Sequence, residues 1–229
     1  MTRPEPRSAR QVRRHRRRRP LPAISLMVVL GLAAAIVWFR ALDIAEERTD
    51  LACAPPRAML GSQPPPAPGA VLAANALDDV EPLPPDAVKV RVLNANGQRG
   101  QAGLVAGVLT VDLGFARAAE PANDTVYPDF DMDCHGQIRF GPNGVAAGRT
   151  LSFVVPCAEL VRDVREDDTV DLALGKQFDA LHPNADVKEV LRQLTELAAQ
   201  PADPSGGQQG AQPTVDPTLL ASAKANVRC

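Results

Sequence analysis

A small two-layer α/β sandwich with a mixed sheet, carried behind a single transmembrane helix, is the architecture this sequence predicts. Three observations predict it. Nineteen residues without a charge, Leu21 to Phe39, follow a cluster of arginines. The run "AVKVRVLNA" places Val88, Val90 and Val92 at alternate positions with Lys89 and Arg91 between them, the period of a half-buried strand. "ADVKEVLRQLTELAAQ" places Val187, Val190, Leu191, Leu194 and Leu197 on one side of a helix.

The membrane segment is argued from length and flanks. Nineteen helical residues at 1.5 Å each cover about 28 Å, close to the roughly 30 Å of a bilayer's hydrocarbon core. A secretory h-region is shorter, about 7–15 residues. Trp38 and Phe39 stand where interfacial aromatics belong, and Arg40 ends the run. Residues 1–40 hold ten arginines against Glu5, whereas residues 41–229 carry a net charge of −11. Such a division reads as topology, N-terminus inside and body outside, and not as nucleic-acid binding, which needs a basic fold with groove-reading or aromatic partners. The expected organisation is an Arg-rich cytoplasmic tail (1–20), the membrane helix (21–39) and a Pro/Ala-rich extracytoplasmic linker (40–86). An α/β domain (87–200) follows, then a second linker with a terminal helix (201–229).

Within the domain the elements follow in order. After the valine strand, Asn94-Ala95-Asn96-Gly97 supplies turn chemistry. Ala102, Val105, Leu109 and Leu113 recur at helical spacing, and Gly114 ends that helix. "ARAAEPA" reads as a weaker second strand and "GQIRFG" as a third. Pro142 and Asn143 open a helix that runs to about Val155, where Pro156 stops it. "TVDLALG" alternates Val170, Leu172 and Leu174 as a further strand. The amphipathic helix over 185–200 completes a β-α-β-β-α-β pattern with added C-terminal helices.

At "VRVLNANGQRGQAG", with "GQIRFG", "GVAAGRT" and "VDLALG" after it, the chain resembles the LytR C-terminal domain, a module of bacterial envelope proteins, over about residues 87–180. The layout of basic tail, anchor and Pro-rich linker is similar to that of actinobacterial members. The resemblance implies support of the envelope barrier, no known catalytic activity, and no binding residue to carry over. Members of the wider group that transfer phosphorylated glycopolymers do so with a separate catalytic domain, for which this chain has no segment.

The residues themselves offer few alternatives. "GQRGQAG" spaces glycines as G-x-x-G-x-x-G, which is neither a dinucleotide fingerprint nor a Walker sequence. Asn94, Asn96, Gly97, Arg99 and Gly100 are retained as a candidate binding loop, because an anion could meet the helix N-terminus beside Arg99. The alternative is a tight strand-to-helix turn. Ser62, Ser152, Ser205 and Ser222 lie in no G-x-S-x-G elbow, and Asp129, Asp131 and Asp133 lack the glycine and distal glutamate of a calcium loop. No catalytic residues, metal or cofactor are therefore expected. Two functions from different classes stand: a non-catalytic binder of a wall glycopolymer or partner envelope protein, and a small enzyme on wall glycan or lipid-linked precursors. The second would use carboxylates such as Asp129, Asp131 or Glu166.

All four cysteines, Cys53, Cys134, Cys157 and Cys229, follow the anchor and none forms a C-x-x-C pair, so disulfides are expected. Cys134 precedes the strand at 137–140 and Cys157 follows the helix that returns antiparallel to it, which predicts Cys134–Cys157. Elimination then predicts Cys53–Cys229, a bond that would hold the domain close to the membrane.

Overall fold

The computed structural model describes residues Met27, 29–35, 52–57, 69–200 and 214–225. The chain divides into two compact units, Met1–Ala45 and Glu46–Cys229. In the first, residues 29–35 are helical. Most of the run 21–39 lies outside the described residues, and among those described no helix is long and apolar enough to cross a membrane.

The second unit is built on one mixed sheet. Its strands are β1 (Ala70–Val71), β2 (Lys89–Asn94), β3 (Ala116–Arg117), β4 (Ala122–Asn123), β5 (Gly136–Phe140), β6 (Glu159–Arg162) and β7 (Val170–Leu174). Its helices are α1 (Gln101–Gly107, continued by a π turn over Val108–Asp112), α2 (Val145–Val154), α3 (Ala185–Ala199) and α4 (Pro217–Ala225). The spatial order is β1-β6-β5-β7-β2-β3, and β4 also pairs with β2. β2 and β7 are parallel, as are β5 and β6, while β5 and β7 are antiparallel.

Side chains alternate across a strand, and here the alternation separates two chemistries. One face presents Val90, Val92, Ile138, Phe140, Leu160, Leu172 and Leu174 to Val105 and Leu109 of α1, Leu151 of α2 and Val190 of α3. This is the main core. Asn184 caps α3 through its Oδ1, which accepts from the Val187 amide at 2.8 Å. On the other face stand Arg91, Gln137, Arg139, Glu159 and Asp171, and the loop from Asp124 to Cys134 folds over that face. Leu93, Ala95, Val126, Tyr127, Met132, Cys134 and Ala173 form a second, smaller cluster there, with Cys53 packed against it.

Three sequence expectations are corrected. "ARAAEPA" is split into two dipeptide strands, β3 and β4, both parallel to β2. Residues 69–86 do not behave as free spacer: β1 pairs with β6, Leu77 is buried, and Thr150 Oγ1 donates to the Leu83 carbonyl at 2.8 Å. The disulfides are also re-paired. The bond present is Cys53–Cys134, which overturns both Cys134–Cys157 and Cys53–Cys229. The physical reason is the face of the sheet. Cys134 belongs to the cluster opposite the helices, whereas Cys157 follows α2 on the helical side, so arrival at one end of the sheet does not bring the two sulfurs together. Cys157 is disulfide-bonded as well, and Cys229 lies outside the described residues.

Candidate functional site

Parallel β2 and β7 end in register, Asn94 opposite Leu174, and antiparallel β5 begins there with Gly136 opposite Leu174. The loops 95–100, 131–135, 155–158 and 175–184 are thus gathered at one end of the sheet. In open α/β sheets, ligands bind outside the carboxyl ends of the strands, which makes this end the candidate site.

The glycine loop closes on itself. Asn94 Oδ1 accepts from the amides of Asn96 (3.2 Å) and Gly97 (2.9 Å), and Asn94 Nδ2 donates to the Gln98 carbonyl at 3.3 Å. Asn96 Nδ2 donates to the Gly175 carbonyl (2.9 Å) and to Gln101 Oε1 (2.7 Å), tying the loop after β2 to the loop after β7. Gln101 Nε2 extends the tie to the carbonyls of Phe178 and Asp179. Gly97 and Gly100 take φ of 80° and 78°, the left-handed region open to glycine. Of the five candidate residues, Asn94 and Asn96 have their side-chain polar atoms turned into the fold, while Gly97, Arg99 and Gly100 are exposed. What the arrangement does chemically is fix a tight strand-to-helix turn.

Glu166 is not brought together with Asp129 and Asp131. Asp131 pairs with Arg57 at 3.6 Å. Asp133 pairs with Lys176 at 2.8 Å, a bond that holds its carboxyl below the usual range. The Met132 amide bonds to the Ala95 carbonyl, placing this acidic run at the candidate end. Glu166 sits in the turn between β6 and β7, at the opposite end. The five residues of β7 alone rise about 13 Å, which exceeds the roughly 5–10 Å that glycosidic acid–base pairs require. Among the described residues no group of three or more His, Cys, Asp or Glu is arranged to hold a metal ion. Ser152 donates to the Arg149 carbonyl at 2.7 Å, as a packed helix hydroxyl does.

Sequence reasoning missed the polar assembly beneath the Asp124–Cys134 loop. Arg139 is 4 % exposed and its Nη1 lies 2.8 Å from Oδ2 of Asp124, which is wholly buried. Its Nε donates to Gln137 Oε1, and Gln137 Nε2 donates to Glu159 Oε2 at 2.7 Å. The Cys53 amide donates to Glu159 Oε1 at 3.3 Å, and Tyr127 Oη donates to the Ala54 carbonyl at 2.8 Å. The segment at 53–54 is thereby bonded to the same assembly its disulfide reaches. Burial pushes the Glu159 carboxyl up and the Tyr127 hydroxyl up to about 12. A second assembly holds Asp171 between Arg91 (2.7 Å) and Arg165 (2.7 Å). The signal in the sequence is the two-residue spacing of Gln137 and Arg139, but the loop that buries them is not local.

The family described as LytR cell envelope-related transcriptional attenuator matches residues 87–178. Over 191 residues the chain is 42% identical to "Cell envelope integrity protein Cei" of Mycobacterium tuberculosis, covering 83% of this chain and 87% of that protein. The crystal structure of the soluble domain of a conserved hypothetical secreted protein from Mycobacterium marinum superposes with a TM-score of 0.58 at 42% identity. It covers 70% of this chain and 98% of that one. Residues 87–178, which hold β2 to β7 with α1 and α2, carry the LytR C-terminal module, and the chain belongs to the family of the cell envelope integrity protein Cei.

Proposed function

We propose that this chain is a non-catalytic envelope protein, anchored by residues 21–39 with its body extracytoplasmic, that supports envelope integrity by binding a partner envelope protein. The name of its relative supports the envelope role. The arginine excess before the apolar run supports the orientation. The observation that carries the mode of action is the outward side of α1. There Leu104 and Val111 are 74 % and 83 % exposed, while the Asn94 and Asn96 side chains of the adjoining loop are turned into the fold. Exposed apolar side chains on a rigid helix suit a protein contact.

The test is photo-crosslinking from positions 99 and 104 of the full-length protein in intact cells, with identification of the captured species. Envelope proteins captured at position 104, and lost on Leu104→Asp, are the expected result. Capture of glycan alone at position 99 would replace this reading with a wall-glycopolymer binder. Turnover of wall glycan or lipid-linked precursor that disappears in Asp131→Asn or Glu166→Gln would establish the enzyme instead.

A further inference from the structure

The two sides of α1 carry unlike stripes. Ala102, Val105, Ala106 and Leu109 are buried in the core. The opposite stripe runs from Gly100, which caps the helix, through Gly103, Leu104, Gly107 and Val108 to Val111. Every residue of it is exposed or half-buried, and none is charged. The chain's own fold does not require two of its glycines. A Cβ on Gly103 or Gly107 would meet no atom within 4 Å, and neither has a positive φ. Inside a helix glycine is less favourable than alanine, so both weaken the single chain. Small residues on a helix face let another helix backbone approach closely. Arg99 and Asp112 stand at the two ends of the stripe, both exposed, and neither side chain has an ion-pair partner among the described residues.

The stripe is complementary to itself. A second α1 is laid on it antiparallel, about a two-fold axis between residues 105 and 106. Leu104 then faces Gly107 of the other copy, Val108 faces Gly103, and Val111 faces Gly100. Each bulky side chain meets a position that has none. The same axis sets Arg99 against Asp112, so opposite charges meet at both ends. An isologous interface needs this reciprocity, in which every contact is made twice. We propose, resting on the protein contact at α1 argued above, that the partner at this face is a second copy of this chain. The two copies are held by an antiparallel α1 pair, with Arg99–Asp112 ion pairs closing its ends. One helix pair is a small contact, and the proposed anchor strengthens it by holding both copies in one membrane at high effective concentration.

The test uses full-length protein in intact cells, expressed as two copies with different tags, one of them carrying a photo-crosslinker at position 104. The expected product is a covalent dimer of the two tags, and mass spectrometry should place the joined peptide at residues 103–108 of the other copy. Arg99→Asp in both copies should lower its yield severalfold, and adding Asp112→Arg should restore it, because the exchanged charges attract again. Both positions are exposed, so neither change reaches the core. Gly107→Leu, where the first added carbon meets nothing in its own chain, should abolish the dimer. Capture of a different envelope protein would overturn the second copy and leave the contact at α1 standing. Capture of no protein at all would overturn both. A dimer joined outside α1, unmoved by Arg99→Asp, or not restored by the charge exchange would overturn the antiparallel pairing.

Discussion

Arg139 is the residue on which the non-helical face depends. Asp124 is fully buried beside it, and Asp124 Oδ1 accepts from the amides of Val126 (2.6 Å) and Tyr127 (3.2 Å), which starts the loop that covers the sheet. Arg139→Met removes the cation paired with that carboxylate and leaves a buried charge. Breaking such a pair from one side costs about 3–5 kcal/mol, while replacing both partners is often near neutral. Adding Asp124→Asn keeps the Oδ1 acceptor and removes the charge, so the double variant should be more stable than the single one in denaturant unfolding. Equal stabilities would show that the ion pair is not what the loop rests on. Asp171 sets the acid limb. Burial opposes its ionisation, but the bonds from Arg91 and Arg165 outweigh that and hold its carboxyl below the ordinary 3.8. The unfolded chain therefore binds the proton more readily. The stabilisation from Asp171 is complete above about pH 4 and is lost as pH falls through the depressed value. Asp171→Asn should lower stability at neutral pH and flatten the stability curve below about pH 4. Glu159, raised by burial, has the opposite sign: its contribution is present at low pH and lost as pH rises through the raised value.

α2 lies so close to β5 that its fourth residue must be glycine. A Cβ on Gly148 would stand 2.9 Å from Cδ1 of Phe140, and Phe140 is wholly buried. Ala gains about 1 kcal/mol over Gly in a helix, while overpacking a core costs about 1–3 kcal/mol. The clash wins, so Gly148→Ala should lower the melting temperature by several degrees. Gly103→Ala, with nothing within 4 Å, should raise it slightly. This closeness has no signature in the sequence, although α2 itself does. The elements with a clean period (β2, β7, α3) were legible because their large apolar residues recur on one side, although β7 is buried on both. β6 was not, because the adjacent Leu160 and Val161 are both apolar and buried, so its sequence shows no alternation. β1 is two residues long and exists only through pairing with β6. At the site, the turn at Asn94–Gly100 was legible from its Asn and Gly content. The Cys53–Cys134 bond was not, because it depends on which face of the sheet a distant loop covers.

Given the proposed anchor, the Cys53–Cys134 bond, and not Cys53–Cys229, would limit how far the body stands from the membrane. Cys53–Cys134 joins residues 81 apart in sequence, and the hydrogen bonds to Glu159 and from Tyr127 fasten the same short segment. The folded body therefore begins covalently at residue 53. Given the proposed anchor, the tether is the twelve residues from Ala41 to Ala52, at most about 40 Å when extended. In the chain-entropy model a loop of this size contributes about 4.5 kcal/mol, so the bond serves stability as well as reach. A site-specific protease sequence placed at residues 61–66 separates the two roles. Cleavage of membrane preparations without reductant should leave the body in the pellet, held through Cys53–Cys134, and reductant should then release it. Cys134→Ser should release the body on cleavage alone and should unfold at lower denaturant. If the uncut protein is already in the supernatant, the anchor is absent. If the cut body leaves the pellet without reductant, the staple does not set the tether, and the domain ranges as far from the bilayer as its whole Pro-rich segment allows.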